Sequence, residues 1–281
     1  MRITFAAPRA RGCRLLCLVS FLAIPGTVQA QTDYFNTDRG RPLHVQDAIA
    51  IERYAFELQA APLRWSRASN ARVVWSVEPE LAYGILPRTQ LEVGAPVYIT
   101  EGFDGGSRAG VGAVHVSLLH AFNVETLGIP ALAINAAVLI PAGDFGPRRT
   151  YATFGALATR TTSIGRIHVN ADATSGPGFT AVAVAGRPGE DELSRWTLGM
   201  AVDRTMPLRS LLIGAELVAA RPIRAGSDIE WRAATGVRWQ LNPYWAFDAG
   251  LGRSLADDQE WSLTFGAARS FGLLRFFPGG R

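Results

Sequence analysis

Long stretches of the chain alternate between apolar and polar residues with a period of two. The stretch 231–241 (WRAATGVRWQL) places Trp231 and Trp239 on one face and Arg232 on the other, and the stretch 261–271 (WSLTFGAARSF) repeats the pattern. A period of two sustained over about ten residues is typical of a β-strand whose two faces meet different surroundings. These stretches therefore predict strands rather than helices.

Segments of this kind can be placed along most of the chain. They lie at 48–60, 71–83, 89–101, 109–122, 130–141, 150–160, 165–175, 192–204, 209–221, 229–241, 245–254 and 260–271. About ten tilted residues cross the apolar layer of an outer membrane, whereas strands in soluble proteins average about five or six. Short turns such as 86–89 and 242–243 alternate with longer loops such as 62–70, 100–107 and 175–192. The pattern predicts an all-β, antiparallel transmembrane β-barrel of about twelve strands, with short periplasmic turns and longer exterior loops.

A soluble β-sandwich or a barrel with an apolar interior is the alternative, because it shows the same alternation with the apolar face inward. Aromatic residues at strand ends favour the membrane barrel, in which they form interfacial girdles. They are Trp65, Trp75, Tyr83, Tyr98, Trp196, Trp231, Trp239, Trp245, Phe247, Trp261 and Phe271. Charges of both signs on the opposite face favour it further, since a polar lumen accommodates them.

The first thirty residues have the pattern of a secretory signal peptide. Basic residues precede the apolar run 15–24, which is too short to span a bilayer, and Val28-Gln29-Ala30 resembles a cleavage site. We expect cleavage before Gln31, leaving residues 31–281 as one barrel domain in the outer membrane of a Gram-negative bacterium. Both cysteines, Cys13 and Cys17, lie in the predicted signal peptide, so the remainder has no disulfide framework.

Net charge gives no reason to expect a nucleic-acid partner. Four arginines lie in the first thirty residues, so the rest of the chain carries 24 basic and 24 acidic residues. The expected partners are outer-membrane lipid, lipopolysaccharide and a small solute, and we expect a monomer. The chain contains no lysine, so its basic side chains are mainly planar guanidinium groups suited to pairing with carboxylates.

The polar faces of the predicted strands supply the candidate lumen. These side chains are Arg53, Glu57, Glu80, Glu92, His115, Asn135, Arg166, His168, Asn170, Asp172, Arg195, Asp203, Glu216, Arg232, Arg238 and Asp248. In a barrel of about twelve strands they could line a narrow solute path or form a salt-bridge network that fills the lumen. Both alternatives remain open at this point.

His115 and Ser117 are the one pair with catalytic spacing. They share a strand face, and an imidazole can take the proton of a serine hydroxyl in ester hydrolysis. The alternation of the strand directs both side chains toward the lumen, and the residue that follows Ser117 is the apolar Leu118. We expect two lumen-lining polar residues and no enzyme, with a lipid ester hydrolase as the alternative. The four histidines show no metal-ligand spacing, so no metal or other cofactor is expected.

Several short motifs resemble the outer-membrane β-barrel family named for the meta-pathway of phenol degradation. They are PELAYG at 79–84, Glu92, Pro96, Gly110 with Gly112, Pro130, Pro141-Ala142-Gly143, Thr159-Arg160 and Arg166-x-His168-x-Asn170. The resemblance extends from about Val45 to Phe271. It departs from the family at Ala113, where members often have Asp, and at Leu119, where they often have Lys.

The resemblance implies a porin-like channel or transporter for small, aromatic or hydrophobic solutes, and it supplies no catalytic residues. Passive movement past the arginine and carboxylate side chains of the lumen is the expected mechanism. A filled structural barrel that binds a partner through its exterior loops is the remaining alternative.

Overall fold

The computed structural model describes most of the chain beyond its N-terminal region. The described residues are 27–28, 37–60, 63–67, 73–103, 106–176, 193–223, 228–255 and 260–273. The predicted signal peptide 1–30 and loop 175–192 lie almost entirely outside them. No helix long and apolar enough to cross a membrane occurs in the described ranges.

The described elements are all β-strands. In chain order they are β1 Thr27–Val28, β2 Ala55–Gln59, β3 Leu63–Arg67, β4 Val73–Val77, β5 Glu80–Leu86, β6 Thr89–Gly94, β7 Val97–Phe103, β8 Gly106–Val111, β9 Val114–Ala121, β10 Ala131–Ile140, β11 Tyr151–Thr161, β12 Arg166–Ser175, β13 Arg195–Thr205, β14 Leu211–Pro222, β15 Glu230–Asn242, β16 Trp245–Ser254 and β17 Trp261–Leu273.

Four wall strands are each interrupted once, so that β2/β3, β4/β5, β6/β7 and β8/β9 each act as one strand. Two of the four breaks contain Pro79 and Pro96, which have no N–H for a ladder hydrogen bond, and a third lies at Gly112. They are adjacent in the sheet, because Ala95 N donates to Pro79 O and Gly112 N to Pro96 O. Counted this way, the wall has twelve antiparallel strands.

The last wall strand closes the barrel on the first. Residues of β17 pair with both β2 and β3, and examples are Phe271 with Phe56 and Leu263 with Trp65. β1 adds a short pairing with the end of β17. The closed, antiparallel, twelve-stranded architecture confirms the predicted fold class.

Some predicted bounds at the N-terminal side are wrong. The first wall strand begins at Ala55 rather than at residue 48, because Tyr54 has a positive φ of 67° that ends the extended backbone. Leu63–Arg67 is a strand within the stretch predicted as loop 62–70, and β7 and β8 extend into the predicted loop 100–107. Tyr98 lies in the same phase as the inward Glu92 and Thr100 and faces inward near Phe145, so its predicted place in an outer girdle is wrong.

The two faces of the wall differ as the alternation predicts. In β13 the outward Trp196, Leu198 and Met200 are exposed, whereas the inward Ala201 and Asp203 are buried. Large exposed apolar side chains occur on the outer face of strand after strand. An aqueous surface would make such a continuous apolar belt unfavourable, and a lipid surface would not.

Candidate channel lumen

Residues 37–54, which we call the lumen segment, lie inside the barrel for most of their length, and Glu52 and Arg53 at the end of the segment are exposed. Its residues Arg41, Leu43 and Asp47 are almost completely buried, although none of the segment forms a wall strand. The alternation that predicted a strand from residue 48 is therefore part of this segment. Gly40, with a φ of 84°, allows the tight turn in which Arg41 N donates to Asp38 O.

The beginning of the lumen segment forms a closed loop. Thr37 N donates to Asp47 Oδ2 at 3.1 Å, and Asp47 N donates to Thr37 O at 3.2 Å. Because Asp47 also lies 3.7 Å from the Arg166 guanidinium, this loop is attached to the wall at its base.

Wall side chains bind the backbone of the lumen segment. Glu216 Oε2 accepts hydrogen bonds from the N–H groups of both His44 and Val45, at 2.7 and 2.8 Å. Asn170 makes two bonds to Gln46, accepting from its N–H at 2.8 Å and donating to its carbonyl at 3.1 Å.

The wall residues Thr159 and Gln90 continue this series, accepting from Ala48 N at 2.9 Å and Ile51 N at 2.8 Å. Buried backbone groups must be paired, and here wall side chains replace a strand ladder.

Arg41 is the centre of a charged cluster. Its Nη2 donates to Asp38 and, at 3.1 Å, to Glu57 Oε1, and its Nη1 lies 3.8 Å from Asp248 Oδ2. Arg238 donates to Asp38 Oδ2 at 2.9 Å, so both guanidinium groups share that carboxylate. Paired charges of both signs are the condition under which such burial is tolerated.

A second cluster lies around Asp203. Arg166 donates to both Asp203 carboxylate oxygens at 2.9 and 2.8 Å, and His168 Nε2 lies 2.9 Å from Oδ2. Thr159 Oγ1 lies 3.0 Å from His168 Nδ1. This cluster holds Thr159 beside the lumen segment. Farther along the wall, Arg39 donates to Asp172 at 3.0 Å.

Glycines of the wall receive apolar side chains of the lumen segment. A Cβ at Gly236 would lie 2.5 Å from Pro42 Cγ, and one at Gly199 would lie 2.6 Å from Val45 Cγ2. A Cβ at Gly214 would likewise lie 2.9 Å from Leu43 Cδ1. Any larger residue would occupy the space of the segment, so the wall and the segment are complementary in shape.

The structure places most predicted lumen residues on the inner face of wall strands. These are Glu57, Glu80, Glu92, His115, Asn135, Arg166, His168, Asn170, Arg195, Asp203, Glu216, Arg232, Arg238 and Asp248, and Asp172 shares this face. Arg53 is the correction, because it precedes β2 and is exposed, with its guanidinium 4.4 Å from the centre of the Tyr54 ring. The turn at Tyr54 interrupts the alternation on which the prediction for Arg53 depended.

Sequence reasoning missed the residues of the lumen segment itself. Asp38, Arg39, Arg41, His44 and Asp47 all contact the wall through side-chain groups. The available signal was the stretch 37–47, which contains Gly, Pro and four charged residues and does not alternate. Several charged residues in so short a stretch, next to a barrel with a polar interior, could have suggested a segment that packs inside the lumen.

Burial and charge act in opposite directions on the ionisable groups of the lumen segment. Burial favours a higher pKa for Asp38, but Arg41 and Arg238 outweigh it and hold that pKa below its usual value. Burial lowers the pKa of His44, and Glu216 only partly opposes this. The segment therefore favours a charged Asp38 and a neutral His44.

Ser117 is paired with a carboxylate rather than with a histidine. Its hydroxyl donates to Glu92 Oε2 at 2.6 Å, and Gln90 donates to the other oxygen of Glu92. His115 lies on the same inner face but does not share this bond. The arrangement is a buried polar network in which Ser117 is a donor to Glu92.

A cavity of about 720 Å³ lies at the short-turn end of the lumen. Its lining combines the end of the lumen segment with small or apolar wall residues, such as Ala121, Val124, Ala131 and Leu212, and with the charged Arg88, Glu125, Arg166, Asp203 and Arg204. The space is large enough for a small organic solute. Ala48, Ile49 and Ala50 of the lumen segment form one side of it.

Comparison with solved structures identifies similar outer-membrane barrels. The COG4313 outer membrane channel from Pseudomonas putida F1 matches with a TM-score of 0.58 and 13% identity, over 84% of this chain and 100% of that chain. The KdgM porin matches at 0.45 with 8% identity, over 76% of this chain and 98% of that one. The beta domain of the Bordetella autotransporter BrkA matches at 0.46 with 15% identity, over 77% and 99%.

No family model and no curated protein matches the chain. The likeness to the COG4313 channel therefore shows the fold, which resembles that of Gram-negative outer-membrane channels.

Proposed function

We propose that the chain is an outer-membrane channel for small solutes and that the lumen segment is its movable barrier. The observation that carries this proposal is the mode of attachment. The segment is held by side chains of the wall and not by a strand ladder, so it can leave without breaking the barrel. Since a buried ion pair gains little over two hydrated ions, charged anchors such as Arg41 suit reversible release.

The expected solutes are small and aromatic or weakly hydrophobic, as the family resemblance implies. The cavity at the short-turn end has a lining that is apolar over most of its area and carries a few charged side chains, which supports a solute with an apolar body and a polar group. Signal cleavage before Gln31 would leave the lumen segment tethered to the wall at Ala55 alone. The barrel would lie in the outer membrane as a monomer, with its longer loops next to lipopolysaccharide.

A disulfide between the lumen segment and the wall tests this function. A Cβ at Gly199 would lie 3.9 Å from Val45 Cβ, close to the mean of about 3.8 Å between paired cysteines. We expect the oxidised Val45→Cys/Gly199→Cys variant to lose single-channel conductance and solute uptake into liposomes. Dithiothreitol should restore both, while the Val45→Cys single variant should not respond to it.

Equal permeation by the oxidised and reduced forms would show that the segment is not the barrier. A wild-type protein that folds, as a heat-modifiable gel band reports, but passes neither ions nor small aromatic solutes would overturn the channel itself.

A further inference from the structure

We propose that the lumen wall contains a recognition site for a planar organic cation, and that Arg41 is its resident ligand. Glu57 of β2 and Asp248 of β16 form the site, and Asp38 completes it in the closed state. The ligand class is a guanidinium or amidinium group. The inference rests on the proposed channel function and names the solute chemistry of that same lumen.

The site surrounds a guanidinium with carboxylates. The side chain of Arg41 is 0% exposed, and three carboxylates lie within 4 Å of its two terminal nitrogens. A planar fork with several N–H donors matches such a set better than the compact ammonium of lysine. The bound Arg41 side chain thus indicates that these carboxylates suit a guanidinium group.

Contacts within the wall hold Glu57 independently of the lumen segment. Its Oε1 accepts from Gln59 Nε2 at 3.3 Å, and its Oε2 accepts from Ser270 Oγ at 3.1 Å. All three residues belong to wall strands. Because these bonds do not involve the segment, the carboxylate keeps its orientation when Arg41 leaves, and the site is preorganised for a replacement.

Asp248 has acceptor capacity that Arg41 does not use. Its side chain is 0% exposed, yet neither carboxylate oxygen accepts a hydrogen bond, and its ion-pair distance to Arg41 is 3.8 Å. Buried carboxylate oxygens normally have hydrogen-bond partners. A free guanidinium or amidinium, unlike one tethered to the backbone, can move within hydrogen-bonding distance of Asp248.

Release of the segment changes the charge at this position. Asp38 and Arg41 leave together, so Glu57 and Asp248 remain opposite the single guanidinium of Arg238, which lies 3.9 Å from Glu57. The vacated site therefore carries an excess of negative charge. Beside it, Gly236 and Gly250 lose the Pro42 ring that covers them, which leaves space for a flat apolar body. A small aromatic amidine combines both features.

Chemical rescue of Arg41→Ala tests the site. The substitution removes the resident cation but leaves the segment in the chain, so we expect a larger open fraction than in wild type. Guanidinium chloride at millimolar concentration should lower that open fraction toward the wild-type value, and benzamidinium should displace the segment and bind in the open lumen. Sodium chloride at the same ionic strength should have no such effect.

Two double variants test whether the guanidinium effect depends on Glu57 and Asp248. In Arg41→Ala/Glu57→Gln and Arg41→Ala/Asp248→Asn, the guanidinium effect should be lost. Thermal unfolding gives a second readout, because binding to the folded state should raise the midpoint of Arg41→Ala by roughly 2–4 °C and leave both double variants unchanged. A guanidinium effect of equal size in the double variants, or no thermal shift in Arg41→Ala, would overturn the proposal.

The two proposals fail in different ways. If neither wild type nor Arg41→Ala conducts, but guanidinium raises the unfolding midpoint in a manner that needs Glu57 and Asp248, the cation site stands and the channel does not. If Arg41→Ala conducts freely and guanidinium changes neither readout, the channel stands and the site does not.

Discussion

The wall and the lumen segment are held by opposite kinds of bonds. Wall strands pair through their backbones, and β13 and β14 remain in register from Arg195 opposite Pro222 to Thr205 opposite Leu212. The segment instead depends on particular wall side chains, such as Asn170 and Glu216. Backbone ladders are largely indifferent to the side chains on them, whereas each anchor of the segment is a single residue. Substitution of an anchor residue should therefore release the segment while the barrel remains folded.

The largest effect on the open fraction is expected from replacing a wall glycine that packs against the lumen segment. Gly199→Val places methyl groups where Val45 packs, and the atoms near a new Cβ are side-chain atoms of Val45 and Val218 rather than backbone. Overpacking costs about 1–3 kcal/mol, so we expect the docked population to fall roughly five-fold or more and the open fraction in planar bilayers to rise.

A size swap provides the control for that variant. Val45→Ala in the Gly199→Val background returns space and should restore the low open fraction, giving non-additive effects. Gly128→Val adds the same side chain where a Cβ meets nothing within 4 Å, and it should conduct like wild type. Additive effects of the two substitutions at 199 and 45 would contradict the proposed contact.

A smaller effect is expected from removing one backbone anchor. Asn170→Ala leaves the N–H and carbonyl of Gln46 without their wall partners, and an unsatisfied buried group costs about 1–3 kcal/mol. The open fraction should rise, by less if water reaches the two groups. Thr153→Ala is the matched control, because its hydroxyl lies 2.8 Å from that of Thr174 within the wall. If both variants open the channel equally, the anchor has no special role.

Acidity should release the segment gradually. The pKa of His44 in the docked segment lies below its usual value of about 6.5, so the docked state binds fewer protons than the released state. Lower pH therefore favours release. The contribution of His44 is complete above about pH 6.5 and decreases as the pH falls through that value. Glu216, Arg64 and Arg232 face the ring and share in this balance.

Asp38 acts at lower pH, because its depressed pKa keeps its stabilising charge until the pH falls below about 4. Open fraction measured between about pH 8 and 5 should rise modestly in wild type, and His44→Gln should flatten that rise. An unchanged slope in His44→Gln would assign the titration to another group.

The smallest effect on conductance is expected from a substitution in the wall network around Ser117. Ser117→Ala removes a donor to Glu92, which is linked to the lumen segment only through Gln90, so conductance should stay within about two-fold of wild type. Lipid ester hydrolysis, assayed with calcium in detergent and in lipid, should be absent from wild type and variant alike. Hydrolysis by wild type that Ser117→Ala abolishes would instead establish the hydrolase alternative.

The sequence by itself determined the wall. A period of two specifies a strand and its faces locally, so the strands from β10 to β17 and the inward residues from Asn135 to Asp248 follow from patterning alone. The lipid solvent strengthens this signal, because every outward position must be compatible with hydrocarbon. Local breaks such as the turn at Tyr54 displaced the predicted bounds.

Only the tertiary structure decided what fills the lumen. Gln46 and Asn170 are 124 residues apart, His44 and Glu216 are 172 apart, and Asp38 and Arg238 are 200 apart. No local periodicity encodes such pairs, since their partners meet only after the barrel has closed. A polar inner face fits both an open path and a filled one, and the difference depends on a short segment that is held mainly by distant side chains and by bonds within itself.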